Sequence, residues 1–264
     1  MQDERDKSNS IIKKDYGMLS RIYDYAEEND YIKKNFFRGF NKIEKTQSKI
    51  ATKQVTPMTF EEEIRFKEYL ANDTHPYKNL VIIELFTGMR LGECLALNIS
   101  DVDIASNTIR VSKILTHDEN HKPYIHESAL SQTKDGARLV QINDVFKSNV
   151  IEAIENAKQN EDNKEKLLFC QDNGSLILES SVNSYLKRVA KEIGLSYWKQ
   201  FSSHRLRHTF ATKGILSGID IVTMKDLLGH SNEKMLLNVY AHTNQALKEK
   251  SIKAISDSMS FADI

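Results

Sequence analysis

Along most of the chain, apolar residues recur every three or four positions; in one stretch they alternate instead. Ile12, Tyr16, Leu19, Ile22, Tyr23 and Ala26 make a helical stripe, and Ile32, Phe36, Phe40 and Ile43 predict a second, shorter helix. Pro57 then interrupts KQVTPMTFEEE, and Thr59 followed by Glu62 is a capping-box pattern that opens a new helix. Helical spacing covers 61–72, 78–86 and 90–97, the last entered through Gly88. A β interruption follows. Residues 102–104, a turn at Ser106-Asn107, the β-branched run 108–114 and the alternating stretch 139–142 predict a three-stranded antiparallel sheet. Helices resume at 144–158, 180–193, 203–216, 221–228 and 233–241, with a last one from about 245 to 256. The expected fold is mainly α with a small three-stranded antiparallel sheet, an α+β arrangement.

Length and composition narrow the class. A chain of 264 residues, 40% hydrophobic and 28% charged, is sized for one to two soluble globular domains. The longest apolar run, 80–86 with Glu84 inside it, is far too short to span a bilayer, and the polar start MQDERDKSNS lacks a signal-peptide core. Cys94 and Cys170 supply neither a disulfide framework nor a four-thiolate zinc site, which predicts reduced thiols and a cytoplasmic location.

Charge balances over the whole chain, with 37 bases against 37 acids, so only its distribution is informative. Lys33, Lys34, Arg38, Lys42, Lys45, Lys49 and Lys53 face a single acid, Glu44, between 31 and 56. Lys199, Arg205, Arg207 and Lys213 occupy 199–213 with two histidines and no acid. Both stretches suit one polyanion.

Several short segments carry candidate chemistry. In SSHRLRHTFATKG, Ser203 as N-cap would put His204 and Arg207 in the first helical turn, where unpaired N–H groups and the dipole favour an anion. His204 and His208 also have metal-ligand spacing, but the residues between them are Arg-Leu-Arg, whose charges repel a cation. In LLGHS, Gly229 is placed to end a helix in the left-handed conformation just before His230. Tyr240 follows ten residues later; with a pKa near 10, about 0.1% of such a phenol is ionised at pH 7, so it needs cationic neighbours or a base. Arg90 and Glu93 in TGMRLGE share a helix face, which alone describes a surface ion pair. Lys134 precedes the Asp135-Gly136 turn signal and the third strand.

The order and spacing of TGMRLGE, TK before a strand, HRLRH, LLGHS and the final tyrosine resemble the catalytic domain of the tyrosine recombinases, the phage integrase family. The likeness runs from about Thr56 to Thr243. It implies that Arg90 and Arg207 clamp a scissile phosphate and that His204 is a general base. It also implies that Lys134 protonates the leaving 5′ oxygen, that His230 fills the third-box position and that Tyr240 is the nucleophile. Glu93 and His208 match supporting positions. On this likeness residues 1–56 are a partial helical core-binding region and basic linker, 57–243 the catalytic domain and 244–264 a C-terminal helix or tail. Residues 11–46 resemble only the last helices of a core-binding domain, so the chain looks N-terminally shortened, with weak and salt-sensitive DNA binding expected.

The resemblance implies site-specific cleavage and rejoining of double-stranded DNA through a 3′-phosphotyrosine, on a phage or mobile element. ATP is not needed, because the phosphotyrosine conserves the bond energy, and with no acidic cluster for a two-metal site in the sequence neither a metal nor another cofactor is expected. A tetramer on two DNA sites is implied, with a monomer as the form free in solution and no membrane partner. The DNA-binding residues expected are the seven bases from Lys33 to Lys53 together with Arg205. A nicking-closing enzyme like a type IB topoisomerase and a DNA-binding regulator without catalysis are the alternatives; a His-ligated metallohydrolase is a third.

Overall fold

In a computed structural model, the structure describes residues 9–36, 56–127, 138–229 and 236–237. The chain divides into two units, 1–54 and 55–264. In the first, α1 (Asn9–Glu28) forms where the apolar stripe predicts it. The expected second helix does not begin in its described part. Residues 31–36 are irregular, with Asn35 buried and its Nδ2 donating to Asp24 Oδ1 at 2.9 Å and to the Ser20 carbonyl at 3.3 Å. Among the described residues no helix is long and apolar enough to cross a membrane.

The second unit opens with α2 (Phe60–Asn72), and the capping box read from the sequence is present. Glu62 N–H donates to Thr59 Oγ1 at 3.2 Å, and Thr59 N–H donates to Glu62 Oε2 at 2.9 Å. This satisfies two of the otherwise orphaned donors at a helix start. The next helix, α3 (Lys78–Thr87), is central. Apart from Glu84 its run LVIIELF is apolar all round, as a helix covered on every side requires, and Leu80, Val81, Ile83 and Leu85 are all buried. It ends at Gly88 in the left-handed conformation, φ 63°, whose N–H caps Glu84 O at 2.9 Å. An alanine Cβ there would lie 2.3 Å from Phe210 Cδ1, so glycine also permits close approach of the later helix.

A short α4 (Leu91–Leu95) follows, then a 3₁₀ turn over Ile99–Asp101. The strands are β1 (Val102–Asp103), β2 (Thr108–Val111), β3 (Lys113–His117), β4 (Pro123–Glu127) and β5 (Arg138–Gln141). The three stretches predicted to pair do so, antiparallel in the order β1-β2-β5, with Ile109 opposite Val102 on one side and Val140 on the other. The run 108–114 is not one strand, however. It breaks at Ser112, and its continuation β3 pairs with β4 in a separate antiparallel hairpin, Leu115 opposite Ile125. The turn between them is held by Asp118 Oδ1, which accepts from Asn120 N–H and Lys122 N–H.

Among the described residues four more helices follow: α5 (Lys147–Gln159), α6 (Glu179–Glu192), α7 (Ser203–Leu216) and α8 (Ile221–Leu228). The main core joins α2–α6 and the sheet, with Phe66, Phe146 and Phe201 fully buried. A smaller cluster of Ala211, Ile215, Met224, Leu228 and Leu236 fastens α8 to α7. Helix α3 packs on both α5 and α7, so the α3 terminus and the start of α7 sit side by side. The helices expected at 233–241 and 245–256 lie outside the described residues, save for helical Leu236 and Leu237.

Candidate active site

Two chain reversals make the floor of the site. One is Gly88 at the end of α3; the other is Gly229 at the end of α8, also left-handed at φ 67° as its position in LLGHS predicts. Both leave backbone carbonyls unused by their helices, and arginines take them. Arg207, buried on α7, donates from Nη1 to Gly88 O at 2.6 Å and from Nη2 to Leu228 O at 2.8 Å. Arg90, the N-cap residue of α4, donates from Nη2 to Gly229 O at 3.1 Å and from Nη1 to Glu93 Oε1 at 2.6 Å. Its side chain is 36% exposed, so the guanidinium forms part of the surface.

Glu93 is more than one end of a surface ion pair. It is buried, and its Oε2 accepts from Arg138 Nη2 at 2.8 Å and from Arg90 N–H at 3.0 Å. Burial by itself would raise its pKa; the Arg138 charge, the Arg90 N–H and the Arg90 charge outweigh that and hold the carboxyl below its ordinary value. Burial pushes Arg207 down to about 10, helped by the charges of Arg90 and Arg138 and opposed by Glu93. It still carries its proton at neutral pH. Two guanidiniums, Arg90 and Arg138, thus share one carboxylate, and Arg207 beside them is held by backbone carbonyls that carry no charge. An anion is the complementary guest.

The α7 N-terminus differs from expectation by one residue. Ser202 is the N-cap, and Ser203 is the first helical residue, turned inward so that its hydroxyl bonds Glu84 Oε1. Glu84 has no exposed surface; burial, against the Ser203 bond and the Arg207 charge, raises its pKa to about 8. Burial thus favours its protonated form. His204, next on α7, is exposed, on the helix that carries Arg207. His208 is half-buried with Nδ1 unpartnered among the described residues, and burial with the Arg205 and His204 charges lowers its pKa. These neighbours disfavour a metal cation between the two histidines.

Arg205 does not fit the DNA-contact role expected of it. It is buried, its Nη1 bonds both the carbonyl and Oγ1 of Thr56, and its guanidinium stacks 4.0 Å from the Tyr197 ring centroid. On α7 its side chain turns into the core, where charge is tolerated because it is stacked and hydrogen-bonded. Lys33 and Lys34 are exposed; Arg38, Lys42, Lys45, Lys49 and Lys53 lie outside the described residues, as do Lys134, His230 and Tyr240. The structure therefore brings together Arg90, Glu93 and Arg207 and adds Arg138, which the motifs did not single out. A signal for it existed: Arg138 shares strand parity with buried Val140, which puts a charge on the core-facing side of β5.

An α-helical unit with this small sheet, and paired arginines set on helix-terminal carbonyls, defines a catalytic domain of the tyrosine recombinase class. Residues 57–246 match the phage integrase family, and the chain belongs to it. It is 26% identical over 275 residues to a XerC-like tyrosine recombinase of Caldanaerobacter subterraneus subsp. tengcongensis, covering 96% of this chain and 68% of that one. It is 25% identical over 218 residues to the integrase of Staphylococcus phage L54a, covering 78% of this chain but 59% of the relative. Among solved structures it is similar to the Tn1549 transposon integrase in complex with transposon right-end DNA, with a TM-score of 0.75 and 25% identity over 97% of this chain and 81% of that one.

Proposed function

We propose that this chain cleaves and rejoins duplex DNA at specific sites, as a recombinase of a phage or mobile element. The observation that supports this most directly is the Arg90–Arg207 pair, two cations fixed on rigid backbone with one open to solvent. In this reading a scissile phosphate lies on that pair. The Tyr240 hydroxyl, losing its proton to His204, attacks phosphorus. The phosphorus–5′-oxygen bond breaks and Lys134 protonates the leaving oxygen, which gives a 3′-phosphotyrosine and a free 5′-hydroxyl. The reverse step with a 5′-hydroxyl from another strand rejoins the DNA and frees the tyrosine. Charge builds on the non-bridging oxygens during attack, and removing one fixed donor to such charge typically costs about 10²–10³ in rate.

By the family resemblance His230, the residue after Gly229 in the chain, fills the third-box position, and double-stranded DNA is the partner. A tetramer on two sites is the assembly that strand exchange between two duplexes calls for, and the bacterial cytoplasm is the compartment. The test is incubation with nicked suicide duplexes carrying candidate sites, followed by denaturing electrophoresis. A covalent adduct on Tyr240, lost in Tyr240→Phe while DNA affinity persists, is the expected result. An adduct mapped to another tyrosine overturns the assignment. Relaxation of supercoiled DNA without exchange of strands would favour a nicking-closing enzyme.

A further inference from the structure

Arg138 is the one guanidinium of the cluster that no motif accounts for. Its side chain is 10% exposed, yet among the described residues Nε and Nη1 have no hydrogen-bond partner; only Nη2 is used, on Glu93 Oε2. Leaving two such donors unpaired is unfavourable, and the fold nevertheless makes room for them. A Cβ on Gly229 would lie 1.8 Å from Arg138 Nη1, so the same glycine whose carbonyl receives Arg90 is the residue whose missing side chain admits Arg138.

The consequence falls on Arg90. A carboxylate with both oxygens free pairs with a guanidinium in the two-pronged manner and consumes two of its N–H groups. Here Oε2 accepts from Arg138 Nη2 and from the Arg90 backbone N–H, so Glu93 offers Arg90 Nη1 only Oε1. Arg90 Nη2 goes to Gly229 O, and among the described residues the guanidinium, on a side chain 36% exposed, has no further hydrogen bond.

We propose that Arg138 is a positioning residue for strand cleavage: by helping to hold Glu93 Oε2, it keeps the Arg90 guanidinium on a single Glu93 oxygen and turned toward the phosphate. It does not itself reach the phosphate, because its free donors are shut off from solvent. The inference rests on the recombinase reading above.

The experiment measures single-turnover adduct formation by the full chain on a suicide duplex with an ordinary scissile phosphate, and on one with a methylphosphonate there. The second lacks the negative charge on a non-bridging oxygen that Arg90 would stabilise. Arg138→Met should slow the ordinary reaction about 10- to 100-fold, below or at the low end for loss of a direct donor. DNA affinity and the unfolding midpoint should stay near wild type. On the methylphosphonate the defect should shrink toward unity in parallel with that of Arg90→Ala. The double variant Glu93→Gln, Arg138→Met should be no slower than its slower single parent. Arg138→Lys, which keeps the charge but only as a point donor, should lie between wild type and Arg138→Met, and carries the test if the methionine variant does not fold.

A wild-type rate in Arg138→Met, or an equal defect on both substrates, overturns the proposal. So does an additive double variant, which would make Arg138 a phosphate contact in its own right. No adduct with the unsubstituted chain overturns the recombinase reading and this inference with it; a normal adduct there isolates the failure to Arg138.

Discussion

Gly88→Ala joins the fold to the site in one substitution. Position 88 has φ 63°, and the left-handed region costs a residue with a Cβ about 1–2 kcal/mol. The new Cβ would also stand 2.3 Å from Phe210 Cδ1, 2.8 Å from Phe210 Cγ and 2.9 Å from Leu228 Cδ2. These are core atoms, and overpacking of this kind costs about a further 1–3 kcal/mol. The sum, about 2–5 kcal/mol, is a large fraction of the 5–15 kcal/mol typical of a domain. Gly194→Ala is the matched control: φ is 77°, and the single neighbour, Arg65 Nη1, is at an ordinary 3.8 Å, so only the backbone cost remains. Urea unfolding followed by the fluorescence of Trp198, the single tryptophan, reads the second unit in both variants. Gly88→Ala should lose more than Gly194→Ala by at least about 1 kcal/mol. It should also slow adduct formation, since the Gly88 carbonyl is the acceptor for Arg207 Nη1. Equal losses in the two variants would show that Phe210 and Leu228 yield freely and that α3 and α7 are not locked at this point.

Three further outcomes follow from individual groups. Glu84, raised to about 8 by burial, holds a proton in the folded state that it loses on unfolding above its ordinary value of 4.5; stability should therefore fall as pH rises from about 5 through 8, and the Glu84→Gln unfolding midpoint should lose that component of the slope. A variant as pH-dependent as wild type over that window would refute it. Arg205→Ala should destabilise by about 2–4 kcal/mol through the lost Thr56 bonds and Tyr197 stacking, and leave the salt dependence of DNA binding unchanged; a salt slope reduced by about one at full stability would restore the DNA-contact role. Lys134→Ala should cripple cleavage of normal DNA and be rescued by a 5′-bridging sulfur, a better leaving group that needs no acid; absence of rescue removes Lys134 as the acid.

Local pattern was enough for most of the elements. Helices α7 and α8 begin and end where their periodicity does, Thr59 and Glu62 cap α2, and Gly88 and Gly229 terminate their helices in the left-handed region. Each depends on side chains within a few residues, so the signal is contained in the string itself. The motif order also marked Arg90, Glu93 and Arg207 as companions, though they are far apart in the chain. The break at Ser112 was not legible: β-branched residues stand on both sides of it, and only the choice of partner, β5 for β2 and β4 for β3, separates the strands. Tertiary packing alone decided the fate of the charges. Arg205 and Arg207 are two residues apart on one helix, and the rings and carbonyls that meet each turn one into a buried anchor for Thr56 and the other into a wall of the anion site. Arg138 became part of that site because a glycine 91 positions later leaves it space. A charge can be buried only where distant backbone or an opposite charge receives it, and those partners are set by the fold.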